Sequence, residues 1–172
     1  EFTKIVVGAV ATAEEIGNCD RSALSWFADV PANAWYAPYV CVAHARGIVQ
    51  GHIVTNGKPE FRPSERINLI AAAKIIAAAF VIGEPPLDCS GPQGGVVCME
   101  AAARGDVWYR RHVLALEERH AIPLSLTSLF DGVTRGQMAE MIYRVRAGVT
   151  SEPYRTYVQL ENPGEPTVSP PS

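Results

Sequence analysis

Trp35-Tyr36-Ala37-Pro38-Tyr39-Val40 returns further along the chain as Trp108-Tyr109-Arg110-Arg111-His112-Val113, with Trp, Tyr and Val kept in place. At the same offset Arg46 falls on Arg119, and each stretch runs into a turn, Gly47-Ile48-Val49 or His120-Ala121-Ile122-Pro123. An internal repeat outranks local propensity in deciding a fold, because one unit cannot bury its own apolar face and must stack on the next. A second set of segments extends the repeat. Glu1-Phe2-Thr3-Lys4-Ile5-Val6 lies over Ala71-Ala72-Ala73-Lys74-Ile75-Ile76 and over Gln137-Met138-Ala139-Glu140-Met141-Ile142. Cys19 and Cys89 stand at the same distance after Glu1 and Ala71, which carries the repeat into the connecting loops.

Each unit reads as helix, loop, helix, so the predicted fold is all-α. The first helix starts near Pro38, where proline suits a first turn, and stops at Gly47, a residue that tolerates positive φ. The loop from Gln50 to Arg66 holds Gly51, Asn56-Gly57 and Pro59 ahead of Phe61-Arg62-Pro63, the profile of a tight turn with a short extended segment. The second helix is capped by Asn68 in one unit and Thr134 in the next, and its Ala71–Ala79 body suits close packing. The later unit, with its loop from Pro123 to Gly132, is shorter. After Ser151, Tyr154 to Leu160 alternates like a short strand, and Pro163, Pro166, Pro170 and Pro171 then enforce an open chain.

Composition narrows the function. The chain has 172 residues, 48% hydrophobic and 19% charged, with 15 Lys+Arg against 18 Asp+Glu. That balance argues against nucleic acid, which demands clustered cations. No apolar run approaches the roughly 20 residues of a membrane span, since Ile67 to Gly83 is broken by Asn68 and Lys74. The chain opens without an initiator Met or a leader-like apolar segment, the expectation for a mature, processed or truncated form. His44, His52, His112 and His120 form no zinc-protease spacing; His112 and His120 sit eight apart on one expected helix, and Glu117-Glu118 reads as a solvated face. There is no Gly-x-Ser-x-Gly elbow, Walker loop or Gly-x-Gly-x-x-Gly, and Gly91-Pro92-Gln93-Gly94-Gly95 lacks the lysine of a phosphate loop. An enzyme is not expected, nor a cofactor or metal.

Cys19, Cys41, Cys89 and Cys98 show no C-x-x-C spacing. Closing the short loop from Cys89 to Cys98 leaves Cys19 to pair with Cys41; three connectivities exist, and four buried free thiols are the alternative.

Phe27-Ala28-Asp29-Val30-Pro31, Trp35-Tyr36-Ala37-Pro38-Tyr39-Val40, Ala45-Arg46-Gly47-Ile48-Val49-Gln50-Gly51, Phe61-Arg62-Pro63 and Ala73-Lys74-Ile75-Ile76 together resemble a bacterial S-layer homology (SLH) repeat. The resemblance is strong over residues 27 to 80 and moderate over 105 to 146, with Glu1 to Gly8 as the second helix of a preceding unit. It implies helix–loop–helix units packed as a pseudo-threefold bundle, divided as 1–26 (second helix of a first repeat plus linker), 27–104 (second repeat with a long disulfide-bearing loop), 105–150 (third, shorter repeat) and 151–172 (extended Pro-rich tail). It implies an extracellular module on the bacterial surface. Such a module anchors an exported protein by binding an anionic, commonly pyruvylated secondary cell-wall polysaccharide in grooves between repeats. The alternative from another class is a self-assembling subunit of a surface layer or filament, associating with itself or with other surface-layer proteins and without polymer binding.

The resemblance also nominates ligand residues. The family's Thr-Arg-Ala-Glu signature survives as Thr134-Arg135-Gly136-Gln137, whereas Leu69 and Ala71 stand where the preceding unit should carry Arg and Glu. Arg135 is suited to a ketal-pyruvate carboxylate through a bidentate pair at a helix N-terminus, with Thr134 beside it; an ordinary exposed first-turn Arg is the plainer reading. Asn68 holds the place of Thr134 one unit earlier, and Lys58, Arg62 and Arg66 form a local basic cluster just before that helix start, either an attraction for an acidic polymer or simply a solvated loop. Trp35 and Trp108 either line the grooves as stacking faces or simply build the core.

Overall fold

The computed structural model describes residues 1–54, 57–82 and 107–163. Among these residues the chain is a multi-helix, all-α fold without a β-strand. The order is α1 (Phe2–Val10), α2 (Ala13–Asn18), a 3-10 helix (Arg21–Trp26), α3 (Ala37–Ala45), α4 (Leu69–Ala79), α5 (Val107–Glu117), α6 (Arg135–Ala147) and α7 (Tyr157–Glu161). The expected disulfide joins Cys19 to Cys41; Cys89 and Cys98 lie outside the described residues.

Helix starts follow side-chain caps. Thr12 Oγ1 accepts from Glu15 N–H at α2, and Asn68 Oδ1 accepts from Ala71 N–H at α4. At α6 the Thr134 hydroxyl accepts from Gln137 N–H while Gln137 Oε1 accepts from Thr134 N–H, a reciprocal capping box. This box explains why glutamine can stand in the fourth position of the signature: the cap needs an acceptor oxygen, not a charge. Gly47 and Gly148 follow α3 and α6 with φ of +70° and +63°, the left-handed exit that lacks a Cβ penalty only in glycine.

α1 packs against α3, α4 and α6, and α4 packs against α5. Val6, Val7, Val40, Leu69, Ile76, Leu116, Met138 and Met141 are buried in the shared core. The entrances to α4 and α6 are tied together: Leu69 N–H donates to Asp131 O (3.1 Å) and Val133 N–H to Ile67 O (2.9 Å). The long loop of the 27–80 unit closes on itself through an antiparallel bridge between His52 and Glu60. Asp29 then accepts from the N–H groups of Phe61 and Arg62, both at 2.7 Å. Gly51, at φ +82°, lies so near this closure that a Cβ there would meet Phe27 Cε1 at 2.8 Å.

Three expectations change. Tyr154 to Leu160 is not an extended strand: Thr156 caps the short helix α7, and Tyr157 and Leu160 are buried. Alternation in six or seven residues does not distinguish a strand from one helical turn seating two apolar side chains. The tail's prolines beyond Pro163 lie outside the described residues. His112 and His120 do not share a helix, because α5 ends at Glu117 and His120 turns back with φ +51°. Glu117 is not a solvated partner of Glu118; its carboxylate accepts from Tyr157 N–H (2.6 Å), and burial raises its pKa.

Candidate functional site

Two seams between helices carry the same local arrangement. At the first, the Lys4 ammonium on α1 lies 5.9 Å from the Trp35 ring centroid and 5.7 Å from that of Tyr39. At the second, the Lys74 ammonium on α4 lies 5.8 Å from the Trp108 ring. In each, the tryptophan meets the following tyrosine edge to face, Trp35 on Tyr36 and Trp108 on Tyr109. The tryptophans remain 56% and 51% exposed. They do not fill the core, which removes the plainer reading of a one-Trp-per-unit core. Their edges are fixed by tyrosine while part of each ring is open, and the cation beside the ring adds positive potential.

The first seam is a cavity of about 200 Å³ lined by Glu1, Lys4, Trp35, Tyr36, Phe61 and Pro63, among others. Its wall is built from the unit's own loop: Phe61 stacks on Tyr36 at 6.3 Å and meets Phe27 edge-on at 5.9 Å. Asp29 holds that loop by capping Phe61 and Arg62. Asp29, which does not itself line the cavity, thus helps to set its shape through Phe61.

The nominated residues divide into three kinds. Trp35 lines the first cavity and Trp108 sits at the second seam. Arg135 opens α6 with its side chain 77% exposed, and its guanidinium is 3.6 Å from the Glu1 carboxylate, so it borders the first cavity through Glu1. Thr134 and Asn68 spend their side-chain oxygens as helix caps. Arg66 is exposed beside the entrance to α4 and lines neither cavity. Leu69, in the place of the signature arginine, is fully buried, so that entrance holds an apolar plug.

The sequence reading missed Lys4, Lys74, Tyr36 and Phe61 as groove residues. A signal was present: Lys4 and Lys74 coincide in the overlay of the second helices, a position that the third copy fills with Glu140. Glu140 instead pairs with Arg144 at 2.6 Å within α6.

Residues 27–73 match the family model described as the S-layer homology domain. The chain therefore carries one S-layer homology domain in this stretch, a type of module that anchors proteins at the cell envelope and is a non-catalytic scaffold. No curated protein and no solved structure matches the chain. Among the described residues no helix is long and apolar enough to cross a membrane, and no group of three or more His, Cys, Asp or Glu is placed to hold a metal ion.

Proposed function

We propose that this chain holds an exported protein on a bacterial surface by binding an anionic, pyruvylated secondary cell-wall polysaccharide in the grooves between helix–loop–helix units. The observation that carries the reading is the lysine beside an open, tyrosine-braced tryptophan at both seams, Lys4 with Trp35 and Lys74 with Trp108. A pyranose presents an apolar C–H face to the indole while its acidic substituent meets the ammonium or the Arg135 guanidinium. Two further units flanking the matched domain, so that α1, α4 and α6 are the second helices of three units in a pseudo-threefold bundle, complete the proposal. The packing of α1 on both α4 and α6 supports it.

Co-sedimentation with isolated cell-wall sacculi tests this reading. Wild type is expected to pellet with walls in low salt and less in moderate salt. Lys4→Ala, Trp35→Ala and Arg135→Ala are each expected to weaken that binding. Binding unchanged in all three variants, or none by wild type, ends the groove reading.

One observation favours self-assembly as a second reading. Thr3 and Val7 on α1 and Ala73 and Ala77 on α4 are buried, yet Ala139 and Tyr143, which hold the same register on α6, are exposed. This face of α6 is open where its counterparts are covered. A chain that sediments as an assembly without walls, and loses that property in Tyr143→Glu, would favour the subunit over the anchor.

A further inference from the structure

Trp26, at the end of the 3-10 helix, is held by a hydrogen bond and by a ring stack. Its indole N–H donates to Gln50 O (3.2 Å), and its ring stacks on His44 at 5.8 Å and 22°. His44 in turn meets Phe27 edge-on at 5.1 Å. Phe27, Phe61, Tyr36 and Trp35 continue the series, so one aromatic ladder crosses the unit from Trp26 to the groove. Both ends of the ladder are exposed tryptophans, Trp26 at 50%. A ring fixed by a hydrogen bond and by stacking on one side loses little further freedom when its open side is covered.

The same 3-10 helix borders a cavity of about 500 Å³ with a floor of Leu24, Phe27 and Val30, all buried, and with Arg21 and Lys58 on its rim. None of the residues lining it is acidic. Arg21 donates to Ala32 O (3.4 Å) and Lys58 to Ser25 O (2.9 Å), so both cations are steadied by carbonyls that leave their charge uncancelled. The Lys58 bond lands on Ser25, the residue just before Trp26, which ties this cation to the 3-10 helix that carries the stacking ring. An apolar ring face with two held cations, Arg21 on the same short helix and Lys58 bonded to it from the following loop, matches a sugar bearing, or adjoining, an acidic substituent.

We infer that Trp26, Lys58 and Arg21 form a second polysaccharide contact outside the groove, with Trp26 stacking on a pyranose and the two cations holding an acidic group of the same glycan. The polymer class rests on the function proposed above; the site does not depend on the groove. A glycan held at both ends of the ladder gains avidity without any change in either contact.

Binding to untreated sacculi and to sacculi stripped of secondary polymer by hydrofluoric acid tests it, comparing wild type, Trp26→Ala, the double variant Arg21→Gln/Lys58→Gln, and the groove variant Lys4→Ala/Trp35→Ala. Trp26→Ala is expected to weaken binding to untreated sacculi roughly tenfold. The double variant is expected to flatten the salt dependence, and none of the proteins should hold stripped sacculi. Loss in the Trp26 and cation variants with the groove variant unaffected upholds this site and removes the groove reading. Loss in the groove variant alone overturns this site and leaves the groove. No binding by wild type overturns both, as does equal binding to stripped sacculi. Because Trp26→Ala also deletes the bond to Gln50, a Trp35→Phe/Trp108→Phe protein, in which Trp26 is the sole tryptophan, supplies a second readout. Its emission should shift when acid-released wall polymer is added, and an unmoved spectrum at saturating polymer overturns the site.

Discussion

Arg46 and Glu15 form a two-point ion pair, Nε to Oε1 at 2.7 Å and Nη2 to Oε2 at 2.6 Å, that ties the end of α3 to α2. The same guanidinium donates to Val10 O at 2.9 Å, where α1 ends. One side chain thus fixes three helices across the boundary between the first segment and the S-layer homology domain. Its repeat partner Arg119 does no such thing and donates to Ala115 O within its own turn.

The Arg46 guanidinium holds the Glu15 carboxyl below its ordinary range. A lowered folded-state pKa contributes stability above the carboxylate's unfolded value, and that contribution disappears as pH falls through the folded one. Arg46→Ala should therefore melt below wild type at neutral pH, and the two melting temperatures should converge in acid. Thermal unfolding from pH 7 down to pH 3 checks this.

The Cys19–Cys41 bridge spans 22 residues and joins the same two regions covalently. Loop-closure entropy predicts that losing it costs about 3 kcal/mol. Cys19→Ser/Cys41→Ser should show that loss in urea unfolding, with a helix content close to that of wild type in far-UV circular dichroism. A midpoint unchanged from wild type would show that the noncovalent ties to α2 suffice.

Replacing Leu69 by arginine is the obvious way to restore the signature cation, and it should fail. Leu69 is fully buried where α4 begins, next to the Asp131 carbonyl that accepts its N–H. An unpaired guanidinium in that place should destabilise the fold by several kcal/mol. By contrast, Arg135→Ala should change stability by about 0.5 kcal/mol or less, its side chain being exposed and its ion pair loose. Urea midpoints for the two variants decide the matter.

Burial raises the Glu117 pKa, against the hydrogen bond from Tyr157 N–H that favours the carboxylate. A raised folded-state pKa contributes stability below the unfolded carboxylate value, and this is lost as pH rises through the folded one. Glu117→Gln keeps an acceptor for Tyr157 N–H without that titration. Docking of α7, followed by amide exchange at Leu160, should be less sensitive between pH 4 and pH 7 in the variant than in wild type. Equal sensitivity would place the titrating group elsewhere.

What could be read from residues alone follows from interactions that are short in sequence. Asn68 and Thr134 announce helix starts because a cap reaches only three residues ahead, and Gly47 and Gly148 mark helix ends because a left-handed exit is local. The Trp35/Trp108 repeat and the Phe27-to-Lys74 motifs were legible because a repeat copies its contacts together with its residues. The Cys19–Cys41 pairing came from loop length. The all-α class followed from these signals together.

Tertiary structure decided the rest. Leu69 and Arg135 hold the same register at a helix entrance, yet one is a plug and the other is solvated, a difference set by what packs across each entrance. Trp35 and Trp108 are open rings because tyrosines brace them and lysines from α1 and α4 stand over them. No local pattern contains that information, since the cation and the ring are separated by some thirty residues in each case (4 to 35, 74 to 108). Tyr154 to Leu160 became a packed turn of helix because Glu117 and the α5 surface offered its N–H groups and apolar side chains a place. Periodicity specifies which residues can be buried; only the assembled neighbours specify which of them are.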